Sequence, residues 1–259
     1  MEYLNETQLK NYQTLFTSTP HSDLSDKYVH IPTYKVVEDM NKLGWFVKEV
    51  TEVKSRGENK GFGKHLVTFE NPDLVIEGKE KLVPQILLIN SHDGKSSFKF
   101  HVGIFRFICK NGLVIPEVEF APSIKIRHMG YSFEELNTQI NIMINNIPNV
   151  LDKINGMASK TITDKQKEKL VLNALESRFS QDIEELKFDI QDILTPIRKE
   201  DELDNLWTTF NVVQEKVIKG NFRYTTSKGK SRKARPIKNI NHRVNVNQDI
   251  FNDVLEFIN

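Results

Sequence analysis

The stretch Pro84-Gln85-Ile86-Leu87-Leu88-Ile89-Asn90-Ser91-His92-Asp93-Gly94-Lys95-Ser96-Ser97-Phe98-Lys99-Phe100-His101-Val102-Gly103-Ile104-Phe105-Arg106-Phe107-Ile108 decides the fold. Two runs rich in β-branched and aromatic residues, Gln85 to Ile89 and Phe98 to Ile108, flank Asp93-Gly94, and that pattern reads as an antiparallel hairpin. Alternation along the second run slips near Gly103, where a bulge is expected to bend the strand. The hairpin is therefore the expected centre of a curved sheet.

Further strands are expected on either side. Trp45 to Val53 alternates imperfectly, His65 to Glu70 is a second strand closed by Asn71-Pro72, and short strands follow at Leu113 to Ile115 and Ser123 to His128. Before them, Thr33 is placed to cap a helix that carries Val36, Val37, Met40 and Leu43 on one face and stops at Gly44. Residues 1 to 30 are polar and mixed, and read as a peripheral arm.

From Ser132 the apolar period lengthens to that of a helix. Ser132 to Glu135 and Thr163 to Gln166 have the form of capping boxes. The first leads into Leu136, Ile140, Met143, Ile144 and Ile147, with Pro148 expected to kink or restart the helix. The second leads into Leu170, Val171, Ala174, Leu175 and Phe179. A third helix is expected over Ile183, Leu186, Ile190 and Leu194. A fourth runs from near Glu200 through Leu203, Leu206, Trp207, Phe210, Val213 and Val217 to Gly220, and a last one is capped by Asn247. Strands followed by helices predict an α+β fold, a curved antiparallel sheet in the N-terminal half packed against a helical C-terminal half. The expected division is an arm over 1–30, an α+β domain over 31–220, and a basic loop with a docking helix over 221–259.

Composition narrows the class of protein. The 259 residues suffice for a sizeable core. No run of about 18 apolar residues is present, and the first residues lack a signal-peptide pattern, so no membrane role is expected. The lone Cys109 fits a reducing compartment, and a cytoplasmic location is expected. Net charge is only +1, yet it is unevenly placed. Ten lysines and arginines and no acid stand between Lys216 and Arg243, so that residues 1 to 215 hold 26 of the 36 basic and 32 of the 35 acidic residues. Within that segment Arg223, Lys228, Lys230, Arg232, Lys233 and Arg235 are interleaved with Tyr224 and small polar residues. Cations neutralise phosphates and an aromatic ring stacks on an unpaired base, so the segment is expected to grip nucleic acid as a mobile arm. The competing reading folds it back onto the acidic body.

Other candidates carry weaker chemistry. His92-Asp93 invites an acid–base role together with Arg106, but Asp-Gly is also what a hairpin turn demands. His65, His101 and His128 sit on different expected strands, so no metal site is expected. Cys109 reads as a core residue. Gly61-Phe62-Gly63 lacks the third glycine of a dinucleotide loop, Leu66 standing in its place, and no cofactor is expected. Arg106 reads either as a core ion pair or, with Lys99, as a groove charge.

Taken together, Ile89-Asn90-Ser91-His92-Asp93-Gly94, Phe105 to Leu113, Leu206-Trp207 with Asn211-Val212-Val213-Gln214-Glu215, and the basic segment ending at Arg235 resemble the phage- and plasmid-borne family catalogued as domain of unknown function 932. The resemblance spans Ile31 to the last helix and implies kinship without an activity. A curved sheet backed by helices is also similar to the fold of phage single-strand annealing proteins. The expected function is thus a phage- or plasmid-encoded protein that binds nucleic acid, single-stranded DNA first of all, in annealing or protection. Homo-oligomers are compatible with it. The alternatives are an enzyme working at His92, Asp93 and Arg106 on a small molecule or nucleotide, or a protein that binds a host factor.

Overall fold

The computed structural model describes residues 2–25, 28–53, 57–76, 81–96, 98–106, 111–114, 124–125 and 131–258. The protein is α+β, with an open antiparallel sheet in its N-terminal half and helices in its C-terminal half. Two compact units divide the chain. One comprises Met1–Leu113 with Glu117–Ile147, the other Val114–Pro116 with Pro148–Asn259. The boundary in α-helical sequence falls at Pro148.

In the first unit the short helices α1 (Glu6–Leu9) and α2 (Gln13–Phe16) precede α3 (Thr33–Lys42). Strands β1 (Phe46–Glu52), β2 (His65–Glu70), β3 (Leu82–Asn90) and β4 (Lys99–Arg106) then pair consecutively, each antiparallel to the last. Two short strands, β5 (Asn111–Val114) and β6 (Ile124–Lys125), both neighbour β4. The strand expected at His65 to Glu70 has those bounds, and β3–β4 is the expected hairpin, with Gly94 at φ 71 in its connection. The bulge expected near Gly103 is absent from the described pairs. Register runs unbroken from Leu82↔Arg106 to Ile89↔Lys99, and the irregularity lies instead between Val47 and Glu49 of β1. Phe107 to Lys110, including Cys109, lie outside the described residues, as does His128.

Every residue of β3 is buried, so both faces of the sheet are covered. Register puts His65, Val67 and Phe69 on the same face as Asn90, Leu88 and Ile86, and as Phe100 and Val102. α3 covers that face, with Thr33, Val36, Val37 and Met40 buried and Gly44 (φ 81) ending the helix as expected. Thr14, Leu15 and His21 are buried, and the His21 amide donates to the His92 carbonyl at 3.2 Å.

α4 (Phe133–Ser159) starts with the Ser132 hydroxyl accepting the Glu135 amide at 3.1 Å and continues through Pro148, the residue at which the units part.

The second unit is built on α5 (Asp164–Phe179), α7 (Leu206–Lys219) and α8 (Ile240–Ile258). Thr163 and Gln166 form the expected capping box, and Leu170, Val171, Ala174 and Leu175 of α5 are buried. Leu206, Phe210, Val213 and Val217 of α7 meet Ile250, Phe251 and Val254 of α8 in the same core, Phe210 lying edge-on to Phe251 at 5.9 Å. α7 begins later than expected, because the Asn205 side chain accepts the Thr208 amide, and Leu203 is left 65% exposed. Asn247 is no cap. It lies buried inside α8, where its side chain accepts from Gln214 and donates to the Arg243 carbonyl.

The third expected helix is three elements. Ser180 takes φ 49 after α5, Leu186–Phe188 forms strand β7, and Asp189 caps α6 (Ile190–Leu194) by accepting the amides of Gln191 and Asp192. The strand exists because the basic segment pairs with it. That segment forms β8 (Arg223–Thr226) and β9 (Ser231–Lys233), and the sheet order is β7-β8-β9. The loop or mobile arm expected there is therefore a hairpin. Two strands alone are marginal in water, and the third strand supplies the missing support.

Candidate nucleic-acid interface

Local chemistry accounts for the hairpin. Thr225-Thr226 favours a strand, and Ser227-Lys228-Gly229 closes a three-residue loop in which Gly229 takes φ 72, a conformation that suits a residue without Cβ. The Gly229 amide donates to the Thr226 carbonyl at 2.8 Å and the Thr226 amide to the Lys230 carbonyl at 3.0 Å.

The segment beyond the hairpin is bound to the helices through backbone. The Ala234 amide donates to the Phe222 carbonyl at 3.0 Å, and the Ile237 amide to the Ile218 carbonyl at 3.0 Å. Arg178, at the end of α5, donates to the Val217 carbonyl, one of the acceptors that a helix end leaves open, and to the Arg235 carbonyl at 2.5 Å. Burial pulls its guanidinium below the ordinary value, and Tyr224 opposes that shift. Gly220 (φ 74) ends α7 in the left-handed region. A Cβ there would stand 2.5 Å from the Arg235 carbonyl carbon, so only glycine permits this approach.

Aromatic rings fill the space between β7, β8 and α5. Phe179 lies 5.3 Å from both Phe188 and Tyr224, and Phe222 is buried at 6.3 Å from Phe179. The Arg178 guanidinium sits 5.2 Å from the Phe179 ring and 5.3 Å from that of Phe222.

On this scaffold Arg223, Lys228, Lys230, Arg232, Lys233 and Arg235 are exposed. Among the described residues no ion pair engages any of the six, and the contact of the Arg223 Nε is to the Ser231 hydroxyl at 3.1 Å. Two other cations of the run are structural. Lys216 is buried and pairs with the partly exposed Asp192 at 3.3 Å, and Lys219 pairs with Glu215 at 2.8 Å. Glu215 also takes a two-pronged contact from Arg198, at 2.6 and 2.8 Å, and these cations hold its carboxyl below the ordinary range against the effect of burial. The motif residues Asn211 to Glu215 are thus buried members of the helical core.

Lys99 and Arg106 belong to the first unit. Lys99 is half-buried at the start of β4, whereas Arg106 is 3% exposed, so it is not a charge presented to solvent. It lies opposite Leu82, and His92 lies beyond the other end of β3. At about 3.4 Å per residue β3 alone spans roughly 27 Å, so the two stand at opposite ends of the strand. Asp93 accepts the Lys95 amide at 3.0 Å and is a turn residue. His92, Asp93 and Arg106 therefore do not converge.

The histidines do converge, which their spacing in the sequence concealed. His92 lies with ring centres 4.7 Å from His30 and 5.2 Å from His65. His65 is fully buried, donates through Nδ1 to the Gly63 carbonyl at 3.1 Å and accepts through Nε2 from the Thr33 hydroxyl at 2.8 Å. The Asn90 amide donates to the same hydroxyl at 3.0 Å, so Thr33 knits α3 to the sheet and is not the cap expected of it. His92 donates to the Thr14 carbonyl at 2.8 Å, and Glu52 accepts from the Thr14 amide and hydroxyl at 2.9 and 2.6 Å. Burial lowers the His65 pKa to about 4 and so keeps the ring neutral. Among the described residues no group of three or more His, Cys, Asp or Glu is arranged to hold a metal. This cluster joins the N-terminal residues to the sheet.

Fold and site together define an α+β protein with an open antiparallel sheet, no described helix long and apolar enough to cross a membrane, and a basic hairpin on a helical unit. The chain belongs to the family described as Domain of unknown function (DUF932), whose model matches residues 20–251. It is similar to the UPF0380 protein YafZ of Escherichia coli (strain K12), 30% identical over 240 residues that cover 92% of this chain and 85% of the relative. A second relative from the same strain, the UPF0380 protein YfjQ, is 29% identical over 240 residues with the same coverage. No solved structure matches.

Proposed function

We propose that the protein binds nucleic acid through the β8–β9 hairpin, holding the phosphate backbone without reading sequence. The observation that carries the reading is the set of six exposed cations, Arg223, Lys228, Lys230, Arg232, Lys233 and Arg235, with no carboxylate partner among the described residues. Cations already neutralised by their own chain would release no counterions on binding, whereas these six release them for each phosphate met. The hairpin is pre-ordered by β7, by the aromatic rings and by Arg178, so little conformational entropy is lost on association. A phage or plasmid protein that coats or anneals strands would use such a surface.

Anisotropy of a fluorescent 20-nucleotide DNA strand, titrated with protein at several salt concentrations, tests this. With three to six phosphates neutralised, log affinity is expected to fall against log salt with a slope between about −2 and −4. A flat dependence would contradict the proposal.

A further inference from the structure

The three-stranded sheet presents two chemically different faces. Register sets Tyr224 opposite Phe188 on one side and Arg232 on the other, while Arg223, Thr225, Ser231, Lys233 and Lys187 share the opposite face. The aromatic face opens into a groove of about 910 Å³ whose lining includes Arg178, Phe179, Tyr224, Arg232 and Arg235. That volume lies within the roughly 300–1,000 Å³ of sites that hold small organic groups. Phe179 and Tyr224 are half-buried, so ring surface remains in the groove wall, while Arg232 and Arg235 are exposed around it. Arg178 is engaged by two backbone carbonyls and two rings, which makes that wall rigid.

Cations around a recessed aromatic surface match the two halves of a nucleotide. Phosphates meet the charges, and a flat base lies on the ring. In a duplex the base faces are already covered by their neighbours and cannot enter. We infer that the groove beside Tyr224 takes an unpaired nucleobase, which makes single strands the preferred ligand of the hairpin. This rests on the nucleic-acid reading above and adds to it the kind of strand.

The test compares three 20-mers of equal charge per strand: oligo(dT), an abasic strand with the same phosphates and no bases, and oligo(dT) paired with oligo(dA). The wild-type protein is expected to bind oligo(dT) about tenfold more tightly than the abasic strand, and more tightly than the duplex. Tyr224→Leu keeps apolar packing while removing the aromatic face, and is expected to bind oligo(dT) and the abasic strand alike. Tyr224→Phe is expected to retain the preference. Equal wild-type affinity for oligo(dT) and the abasic strand overturns the inference even if the variants do not fold, and leaves the phosphate grip intact provided that affinity remains salt-dependent. Binding of none of the three defeats both readings.

Discussion

Replacing Lys228, Lys230 and Arg232 together by glutamate is expected to weaken binding of a 20-nucleotide strand by at least about a hundredfold at 0.1 M salt. Each replacement removes one attraction to phosphate and adds one repulsion, in a segment whose charges face solvent. All three side chains are exposed and none has a carboxylate partner among the described residues, so the native structure loses no ion pair. Exposed substitutions of this kind ordinarily change stability by about half a kcal/mol or less each. The circular dichroism spectrum and the helical unit should therefore be unchanged while affinity collapses. A folded variant that binds like the wild type would show that the hairpin is not the contact.

Acid is expected to destabilise the protein through His65. The folded state holds this ring neutral down to about pH 4, whereas the unfolded chain protonates it near 6.5. Stability is therefore unaffected by this ring above pH 6.5 and is lost as pH falls towards 4, the loss reaching roughly 3 kcal/mol, because protons bind the unfolded chain more readily. Below pH 4 both states are protonated and the contribution is constant. Urea unfolding of the wild type and of His65→Gln between pH 7.5 and 4 measures it. The wild type should lose more stability over that window than the variant, and parallel curves would exclude His65 as the source. The physical cause is enclosure: a ring fully covered by α3 and the sheet, with both nitrogens committed to Gly63 and Thr33, has no room for a second proton.

Much of the first unit was legible because its elements are set by local pattern. His65 to Glu70 has the strand propensity and the Asn71-Pro72 stop that set its ends, and β3 and β4 flank the glycine-bearing turn that their sequence announces. Thr163 and Gln166 cap α5 through neighbours three residues apart, which a sequence displays directly. Long-range contacts were not legible. Thr33 has the residue type of a cap, yet its hydroxyl is taken by His65, 32 residues away, and by Asn90, 57 residues away. Asn247 likewise faces Gln214 across two helices.

The basic segment shows the same limit in the candidate site. Its charges stand out in the sequence as a group, but their density hid the strand signal of Thr225-Thr226 and the turn signal of Ser227-Lys228-Gly229. The partner that completes the sheet, Leu186–Phe188, lies inside a stretch with helical spacing and becomes a strand through pairing with β8. Arg106 was ambiguous for a related reason. Parity along β4 gives its face, but only the packed structure shows that the side chain is buried there.

Photo-crosslinking the protein to a 20-nucleotide strand, followed by mass spectrometry of the joined peptides, locates the residues that meet the strand. Crosslinks are expected to concentrate between Arg223 and Arg235, with Tyr224 prominent. Crosslinks confined to residues outside that segment, with the hairpin peptides unmodified, would rule out the hairpin as the contact.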